Sequence, residues 1–196
     1  MVTLRSVVLA SASPRRLELL RSLGLHVEVA PSTYGEPETA SHSPAELAQL
    51  HSRAKLEQVR RTRSTAVVVA ADTVVDIDGR ALGKPRDSDE AKRMLRLLSG
   101  RAHLVHTAYA LAVPERAPVE EVRTTVVRFR ALQPEDIAEY VATGESMDKA
   151  GAYGIQGRAA ALIDSIDGDY FTVMGFPLGD FIRNLRRLGF SLPTAK

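Results

Sequence analysis

Short runs of apolar residues alternate along this chain with amphipathic segments of helix length. The first apolar run, residues 7–10, is followed by a serine-proline turn and then by leucines at helical spacing over residues 15–23. Ser13 can cap this helix with Pro14 at its first position, and Gly24 can end it. The chain therefore begins with a predicted strand, turn and helix.

The same alternation continues to the end of the sequence. Further strands are predicted over residues 26–30, 66–71, 102–113 and 119–129, with hairpin turns at Asp78-Gly79 and Asp167-Gly168. Further helices are predicted over residues 43–63, 87–99, 134–144 and 178–188. This pattern indicates an α/β or mixed α+β fold. The run 66–71 shows no polar alternation, which predicts a strand buried on both faces with Asp72 directly at its C-terminal end.

Composition narrows the class of protein. The 196 residues are 44% hydrophobic and 26% charged, which is typical of an ordinary globular protein. This length allows one large domain or two small lobes, and we take residues 1–196 as a single domain. The formal net charge is only +2, which is too small to favour a nucleic-acid-coating or membrane-binding surface.

Cysteine usage and apolar run length narrow the class further. The sequence has no cysteine, which excludes disulfides, zinc–thiolate sites and cysteine nucleophiles. No apolar run approaches the roughly 18 residues of a membrane helix, and the N-terminus does not match a signal peptide. We therefore expect a soluble cytoplasmic protein that binds neither nucleic acid nor a membrane.

A first candidate site is the S-A-S-P-R-R turn from Ser11 to Arg16. The N-terminus of the following helix offers unpaired N–H groups and a positive dipole end, both of which attract anions. Arg15 and Arg16 are unfavourable in a first helical turn unless an anion binds there. Two interpretations stay open: the arginines bind a phosphate, or both are solvated while Glu18 compensates their charge.

A second candidate site combines Asp72 with Lys84. A carboxylate at the end of a strand lies where open α/β sheets place their ligands, and it can coordinate a divalent ion or activate a water. Lys84 can supply positive charge to a phosphate. The alternative is a capping aspartate in a hairpin beside a surface lysine. Glu36, in a polar loop, is either a metal ligand or a solvated acid.

A third candidate site is the glycine-rich segment 145–157, which reads E-S-M-D-K-A-G-A-Y-G-I-Q-G. Its three glycines would let the backbone approach a ligand closely. Lys149 supplies charge, and Gln156 supplies an amide that can read the edge of a base. A loop of this length without secondary structure is typical of a functional segment.

Four motifs follow one another along the chain: L-A-S-A-S-P-R-R, A-A-D-T-V-V followed by L-G-K-P, L-S-G-R-A-H-L-V-H-T, and D-K-A-G-A-Y-G-I-Q-G. In these motifs, and in their order and spacing over nearly its whole length, the chain resembles the Maf family of nucleotide pyrophosphatases. The segment I-D-G-D-Y-F-T-V-M-G-F-P-L is similar to the family as well. The resemblance implies a mixed α/β fold related to inosine triphosphate pyrophosphatases, with an elongated sheet and two lobes around a cleft.

The resemblance also implies a reaction. Water attacks the α-phosphate of a nucleoside triphosphate and releases pyrophosphate, with help from a divalent cation such as Mg²⁺ or Mn²⁺, and members typically form homodimers. Asp72 would be the general base or a metal-bound activator, and Glu36 the second acid at the metal. The residues implied to hold phosphates are Ser11, Arg16, Lys55 and Lys84.

Members of the family divide by three residues near the base. The branch acting on dTTP and UTP carries arginine, threonine and glutamine, which match Arg15, Thr73 and Gln156. The branch acting on methylated GTP carries an aromatic residue, glutamine and glutamate instead. The resemblance therefore implies hydrolysis of dTTP and UTP, as normal or modified nucleotides. The alternative is a nucleotide-binding regulator without significant turnover, since the family has also been associated with septum formation and division arrest.

Overall fold

A computed structural model describes residues 1–37 and 42–194. The strands in this part of the chain are β1 (Val2–Thr3), β2 (Ser6–Leu9), β3 (His26–Val29), β4 (Val68–Ile77), β5 (Arg80–Leu82), β6 (Ala102–Ala112), β7 (Val119–Phe129), β8 (Ile163–Asp167) and β9 (Phe190–Ser191). The α-helices in it are α1 (Pro14–Ser22), α2 (Pro44–Arg60), α3 (Ser88–Leu98), α4 (Pro134–Ala142), α5 (Tyr170–Met174) and α6 (Leu178–Arg187). Two 3₁₀ segments, Ala150–Ala152 and Gly157–Leu162, lie between α4 and β8.

Seven of the described strands form one mixed sheet. Its order is β3-β2-β4-β6-β7-β8, and β5 pairs with β4. The strands β3, β2 and β4 run parallel, whereas β6, β7 and β8 continue the sheet with antiparallel pairs. The predicted mixed α/β fold is confirmed. None of the helices in the described residues combines the length and the apolar character needed to cross a membrane.

The strand that carries Asp72 is longer than the sequence predicted. Asp72 lies in the middle of β4, so its predicted position at the end of a strand was wrong. The strand continues because Thr73, Val74 and Val75 are β-branched residues that favour extended backbone. It also continues because β6 pairs with β4 along almost its whole length, with Asp72 opposite Ala108.

A gap in the sheet opens beside Asp72. The pairing of β2 with β4 covers Val68 and Val69, whereas the pairing of β5 with β4 begins at Val75. Because β6 occupies the opposite edge of β4, β2 and β5 lie on the same side of it. In the described part of the chain, no strand pairs on this side with the β4 residues in between. Such a change of neighbour along a strand is a common place for a ligand in open sheets.

Successive side chains of β4 point to opposite faces of the sheet and therefore pack against different helices. Val68 and Ala70 pack in one apolar cluster with α2. Val69 and Ala71 pack on the opposite face, in a cluster with α1 and α6. Val75, beyond the gap, packs in a further cluster with α3 and α4. The sheet therefore carries apolar clusters on both sides of the gap, and they form the two predicted lobes.

Local sequence signals predicted a helix start and one hairpin correctly and a second hairpin wrongly. The capping box of Ser43 and Glu46 is present at the start of α2. The Asp78-Gly79 hairpin is confirmed, with φ angles of 56° and 78°. The hairpin predicted at Asp167-Gly168 was wrong: the side chain of Asp169 accepts a hydrogen bond from the Thr172 N–H and so starts α5. The Asp167-Gly168 pair differs from the Asp78-Gly79 pair because a helix-capping residue, Asp169, follows it directly.

A buried histidine makes the stability of this fold depend on pH. His103 is 3% exposed, and its ring packs edge-on against Phe129 and Tyr153. Burial lowers the pKa of His103 from 6.5 to about 4. Between these pH values the unfolded chain binds a proton that the folded chain excludes. We therefore expect the free energy of unfolding to fall by roughly 3 kcal/mol as the pH drops from about 6.5 to 4.

Urea unfolding between pH 7 and pH 4 measures this dependence. The matched variant is His103→Gln, which keeps a polar group near the Tyr153 hydroxyl, 2.6 Å from Nε2 in the wild type. The variant should lose some stability at pH 7 but show a shallower decline below pH 6.5. Parallel curves for the two proteins would contradict the prediction.

Candidate active site

A cleft of about 1220 Å³ opens along the gap beside β4. It lies between the N-terminal end of α1, the side of α2 and the glycine-rich segment 145–157. Of the ten residues proposed from the sequence, those that line it are Ser11, Arg15, Arg16, Glu36, Lys55, Asp72, Thr73, Lys84 and Lys149. Gln156 is exposed and does not line the cleft. The structure therefore brings all but one of these residues together.

Two carboxylates share one ammonium group at the centre of the cleft. Lys55 Nζ lies 2.6 Å from Asp72 Oδ1 and 2.5 Å from Glu36 Oε1. The helix α2 brings Lys55 there because it packs over the face of β4 that carries Asp72. The Asp72 and Lys55 side chains are only 9% and 12% exposed, whereas Glu36 is 48% exposed. The shared ammonium shows where the two carboxylates can hold positive charge.

The surroundings shift the two carboxyl groups in opposite directions. Burial raises the pKa of Asp72 and outweighs the opposing charges of Lys55 and Arg16. Burial also raises the pKa of Glu36, but there the hydrogen bond and charge of Lys55 prevail, helped by the charges of His51 and Lys84, and lower it. The site therefore favours the protonated form of Asp72 and the ionised form of Glu36. Opposite shifts of this kind are the pattern expected when one acid accepts a proton and the other stays ionised.

Arg16 is held rigidly at the other side of Asp72. Its Nε donates to the carbonyl oxygen of Gly175 at 2.9 Å, and its terminal nitrogens donate to the hydroxyls of Ser11 and Thr73, each at 3.1 Å. Burial lowers the pKa of Arg16, partly opposed by the charge of Asp72, yet a guanidinium stays protonated in proteins. Three of its five N–H groups are used in this way, so two remain for a ligand.

A chain of hydroxyl groups fixes the direction of the hydrogen bonds around Thr73. Thr107 donates to the carbonyl oxygen of Thr172 at 2.7 Å. Its hydroxyl lies 2.9 Å from that of Thr73, which must therefore be the donor in that pair. Because Thr73 also accepts from Arg16, its hydroxyl has one acceptor position left and no proton to give.

The glycine-rich segment contributes both charge and one glycine to the cleft. Lys149 Nζ lies 2.6 Å from Asp148 Oδ1, and Arg15 lies 3.3 Å from Asp148 Oδ2. Gly154 lines the cleft, so close approach of its backbone to a ligand stays a prediction, whereas the other two glycines face the protein. A Cβ at Gly151 would lie 3.0 Å from the Val75 side chain, and one at Gly157 would lie 2.6 Å from a carboxylate oxygen of Glu145. These glycines make room for the protein's own side chains.

Sequence reasoning missed residues that support Arg16. Gly175 has φ 107°, a conformation that favours glycine, and a Cβ there would lie 3.3 Å from the Thr73 hydroxyl. Thr107 anchors the hydroxyl chain. Both residues lie in segments that carry the family resemblance, which is the one signal that could have marked them. Their contacts join positions too distant in sequence for local patterns to reveal.

The acids in the cleft fit a hard divalent cation only as a pair. Among residues 1–37 and 42–194, no group of three or more histidine, cysteine or acidic side chains is arranged to hold a metal. Asp72 and Glu36 converge on one positive group, and ions such as Mg²⁺ are commonly held by one or two carboxylates together with phosphate oxygens of a substrate. The donor set therefore fits such an ion when a nucleotide supplies the remaining oxygens.

Known proteins are similar in sequence to this chain over nearly its full length. The model of the family described as Maf-like protein matches residues 6–188. The dTTP/UTP pyrophosphatase of Symbiobacterium thermophilum is 48% identical over 191 residues, which cover 97% of this chain and 98% of the relative. The dTTP/UTP pyrophosphatase of Thermococcus gammatolerans is 49% identical over 186 residues, which cover 95% of this chain and 98% of the relative.

A solved structure is similar at a lower level. The HAM1 protein from Coxiella burnetii aligns with a TM-score of 0.48 and 18% identity, over 92% of this chain and 100% of that one. A likeness of this size adds nothing about the chemistry of the cleft.

Proposed function

The chain belongs to the Maf-like protein family, and on that premise we propose that it hydrolyses dTTP and UTP to the monophosphate and pyrophosphate. The observation that carries the proposal is the buried carboxylate of Asp72 in a cleft lined by basic side chains. The two relatives named as dTTP/UTP pyrophosphatases support this choice of substrate.

In this proposal Asp72 accepts the proton of the water that attacks the α-phosphate. Its burial gives the carboxylate a raised pKa and hence a greater proton affinity than an exposed aspartate has. Lys55, 2.6 Å away, keeps the carboxylate oriented toward the cleft. The proton acceptor and its orienting partner are therefore in place before the nucleotide binds.

Two cations of the cleft, Arg16 and Lys84, hold the phosphates. Arg16 offers two N–H groups in a fixed plane, which suits two oxygens of one phosphate. Lys84 lines the same cleft, close enough to Glu36 for its charge to lower the pKa of that acid. Ser11 and Lys55 complete the set. Fixed positive charge of this kind stabilises the charge that develops on the phosphoryl oxygens.

Glu36 and Asp72 would hold the divalent cation. It would be Mg²⁺, Mn²⁺ or a similar ion, because both ligands are carboxylate oxygens. When bound, such an ion polarises the phosphoryl oxygens as a Lewis acid. We also propose that residues 1–196 act as one domain in a cytoplasmic homodimer. These proposals rest on the composition and on the properties of the family.

The base is selected in part by Thr73. Its hydroxyl can only accept a further hydrogen bond, and the N3–H group of uracil or thymine is a donor. Cytosine presents an acceptor at the same position, so Thr73 favours dTTP and UTP over dCTP and CTP.

Turnover with a panel of nucleotides tests the proposed function. Purified protein with a divalent ion should release pyrophosphate from dTTP and UTP, and much less from dCTP and ATP. Tight nucleotide binding without metal-dependent turnover would favour the alternative, a regulator of septum formation. The relatives named as enzymes do not favour that alternative.

Gln156 provides a second test of base selection. Its neutral amide can donate to the O4 acceptor of uracil or thymine, beside the N3–H that Thr73 accepts, whereas a glutamate prefers the donor-rich edge of guanine. Gln156 does not line the cleft in this structure, but its neighbours Gly154 and Ile155 do, so this role requires the exposed Gln156 side chain to turn toward the bound base. We expect Gln156→Glu to lower the preference for UTP over GTP by about 1–3 kcal/mol, or roughly 5- to 150-fold. Unchanged relative kcat/KM values would count against it.

A further inference from the structure

One aspartate in the cleft forms ion pairs with two of the cations that line it. Asp148 Oδ2 lies 3.3 Å from Arg15, and its Oδ1 lies 2.6 Å from Lys149 Nζ. These contacts join α1 on one side of the cleft to the segment 145–157 on the other. Asp148 is 56% exposed, whereas Arg15 and Lys149 are 25% and 14% exposed. The acid is therefore the accessible partner of two more sheltered cations.

The conformation of Lys149 turns its charge away from a ligand. Besides Asp148, its Nζ donates to the Glu145 carbonyl oxygen at 2.5 Å, so the side chain folds back over its own turn. The stem lies against Gly154, where a Cβ would come within 2.9 Å of Lys149 Cδ and Cε. An ammonium in this position cannot give all of its N–H groups to a phosphate.

We propose that Asp148 is a competing anion, which occupies Arg15 and Lys149 in the free protein and is displaced from them by the phosphates of a ligand. The proposal rests on the proposed function, and it adds Arg15 and Lys149, which line the same cleft, to the phosphate contacts named there. Displacing Asp148 opposes the binding of every polyphosphate that uses them. As the product pyrophosphate leaves, Asp148 takes its place, which speeds release.

The sign of one affinity change distinguishes competition from positioning. If Asp148 merely held the two cations in the productive place, removing its charge would weaken the binding of polyphosphate. If Asp148 competes, removing its charge strengthens that binding. Both pairs are partly exposed to solvent, so the change should be moderate and should shrink at high salt.

Calorimetric titration with tripolyphosphate in metal-free buffer provides the measurement. At low ionic strength we expect Asp148→Asn to bind tripolyphosphate about three- to tenfold more tightly than the wild type, from the loss of two partly exposed ion pairs. The matched control is Asp89→Asn, which removes an exposed aspartate paired with Lys92 at 3.1 Å outside the cleft. This control should bind like the wild type, and melting temperatures should show that both variants are folded.

A second comparison assigns the effect to the cations. In a Lys149→Met background, the gain from Asp148→Asn should be smaller than in the wild type. Unchanged or weaker binding by Asp148→Asn would overturn the proposal. Because tripolyphosphate binding requires no turnover, this result is independent of the test with dTTP. A protein that fails to hydrolyse dTTP can still show the competition, and an active enzyme can lack it.

Discussion

Replacing Asp72 with asparagine should lower kcat/KM for dTTP by about 10³-fold, the range expected when a general base is lost. An amide has the same shape and can still accept from Lys55, 2.6 Å away in the wild type, but it cannot take a proton from water. Steady-state kinetics with pyrophosphate detection gives the measurement. Activity within about tenfold of the wild type would contradict the assigned role.

The same substitution should cost little stability. Burial raises the pKa of Asp72, which means that the folded protein holds the ionised form at a cost relative to the unfolded chain. Asparagine removes that cost, and Glu36 still pairs with Lys55. The melting temperature of Asp72→Asn should therefore stay close to that of the wild type.

The same strand offers a matched control in Asp76→Asn. Asp76 lies four residues further along β4, is 8% exposed and does not line the cleft. Its Oδ1 accepts from the Gly79 N–H at 2.8 Å, and its Oδ2 lies 3.2 Å from His106 Nε2. Asp76→Asn should lose stability, by about 1 kcal/mol or more, but keep its activity. If Asp72→Asn loses activity but not stability, and Asp76→Asn loses stability but not activity, then the role of Asp72 is catalytic and not structural.

The fold could be predicted where the signals are local. The capping box of Ser43 and Glu46 and the turn at Asp78-Gly79 each lie within four residues, and both are present. The length of β4 could not be predicted in this way. In sequence, an aspartate after an apolar run predicts the end of a strand. Asp72 instead lies inside β4, because β6 pairs with the strand there and Lys55 donates a hydrogen bond to the carboxylate.

The site could be predicted as a set of residues but not as a geometry. The resemblance assigned Lys55 and Glu36 to the site, and the structure places both within hydrogen-bonding reach of one another at Asp72. The contact between Arg16 and Gly175 joins positions 159 residues apart, so no pattern in the sequence indicates it. The same holds for Asp148, whose competition with phosphate depends on a contact across the cleft.

Arg16→Lys should lower kcat/KM for dTTP by about 10²- to 10³-fold, although the positive charge is retained. The guanidinium spans three acceptors on Ser11, Thr73 and Gly175 and keeps two N–H groups for the substrate. A lysine has one nitrogen with three donors, so it can satisfy the protein or the phosphate but not both. The variant leaves the hydrogen bond from Thr73 to Thr107 in place, so selectivity for dTTP over dCTP should change less than the rate.

The control is Arg21→Lys, an exposed arginine in the last turn of the same helix, which should leave activity unchanged. Comparing kcat with kcat/KM then shows whether Arg16→Lys loses contacts to the transition state or contacts to the bound substrate. An equal fall in both assigns the Arg16 contacts to the transition state, whereas a rise in KM alone assigns them to binding that substrate and transition state share. We expect the first result, because a fixed guanidinium interacts most strongly with the charge that develops on the phosphoryl oxygens in the transition state. An Arg16→Lys enzyme with the kinetics of Arg21→Lys would show that fixed geometry at this position is not required.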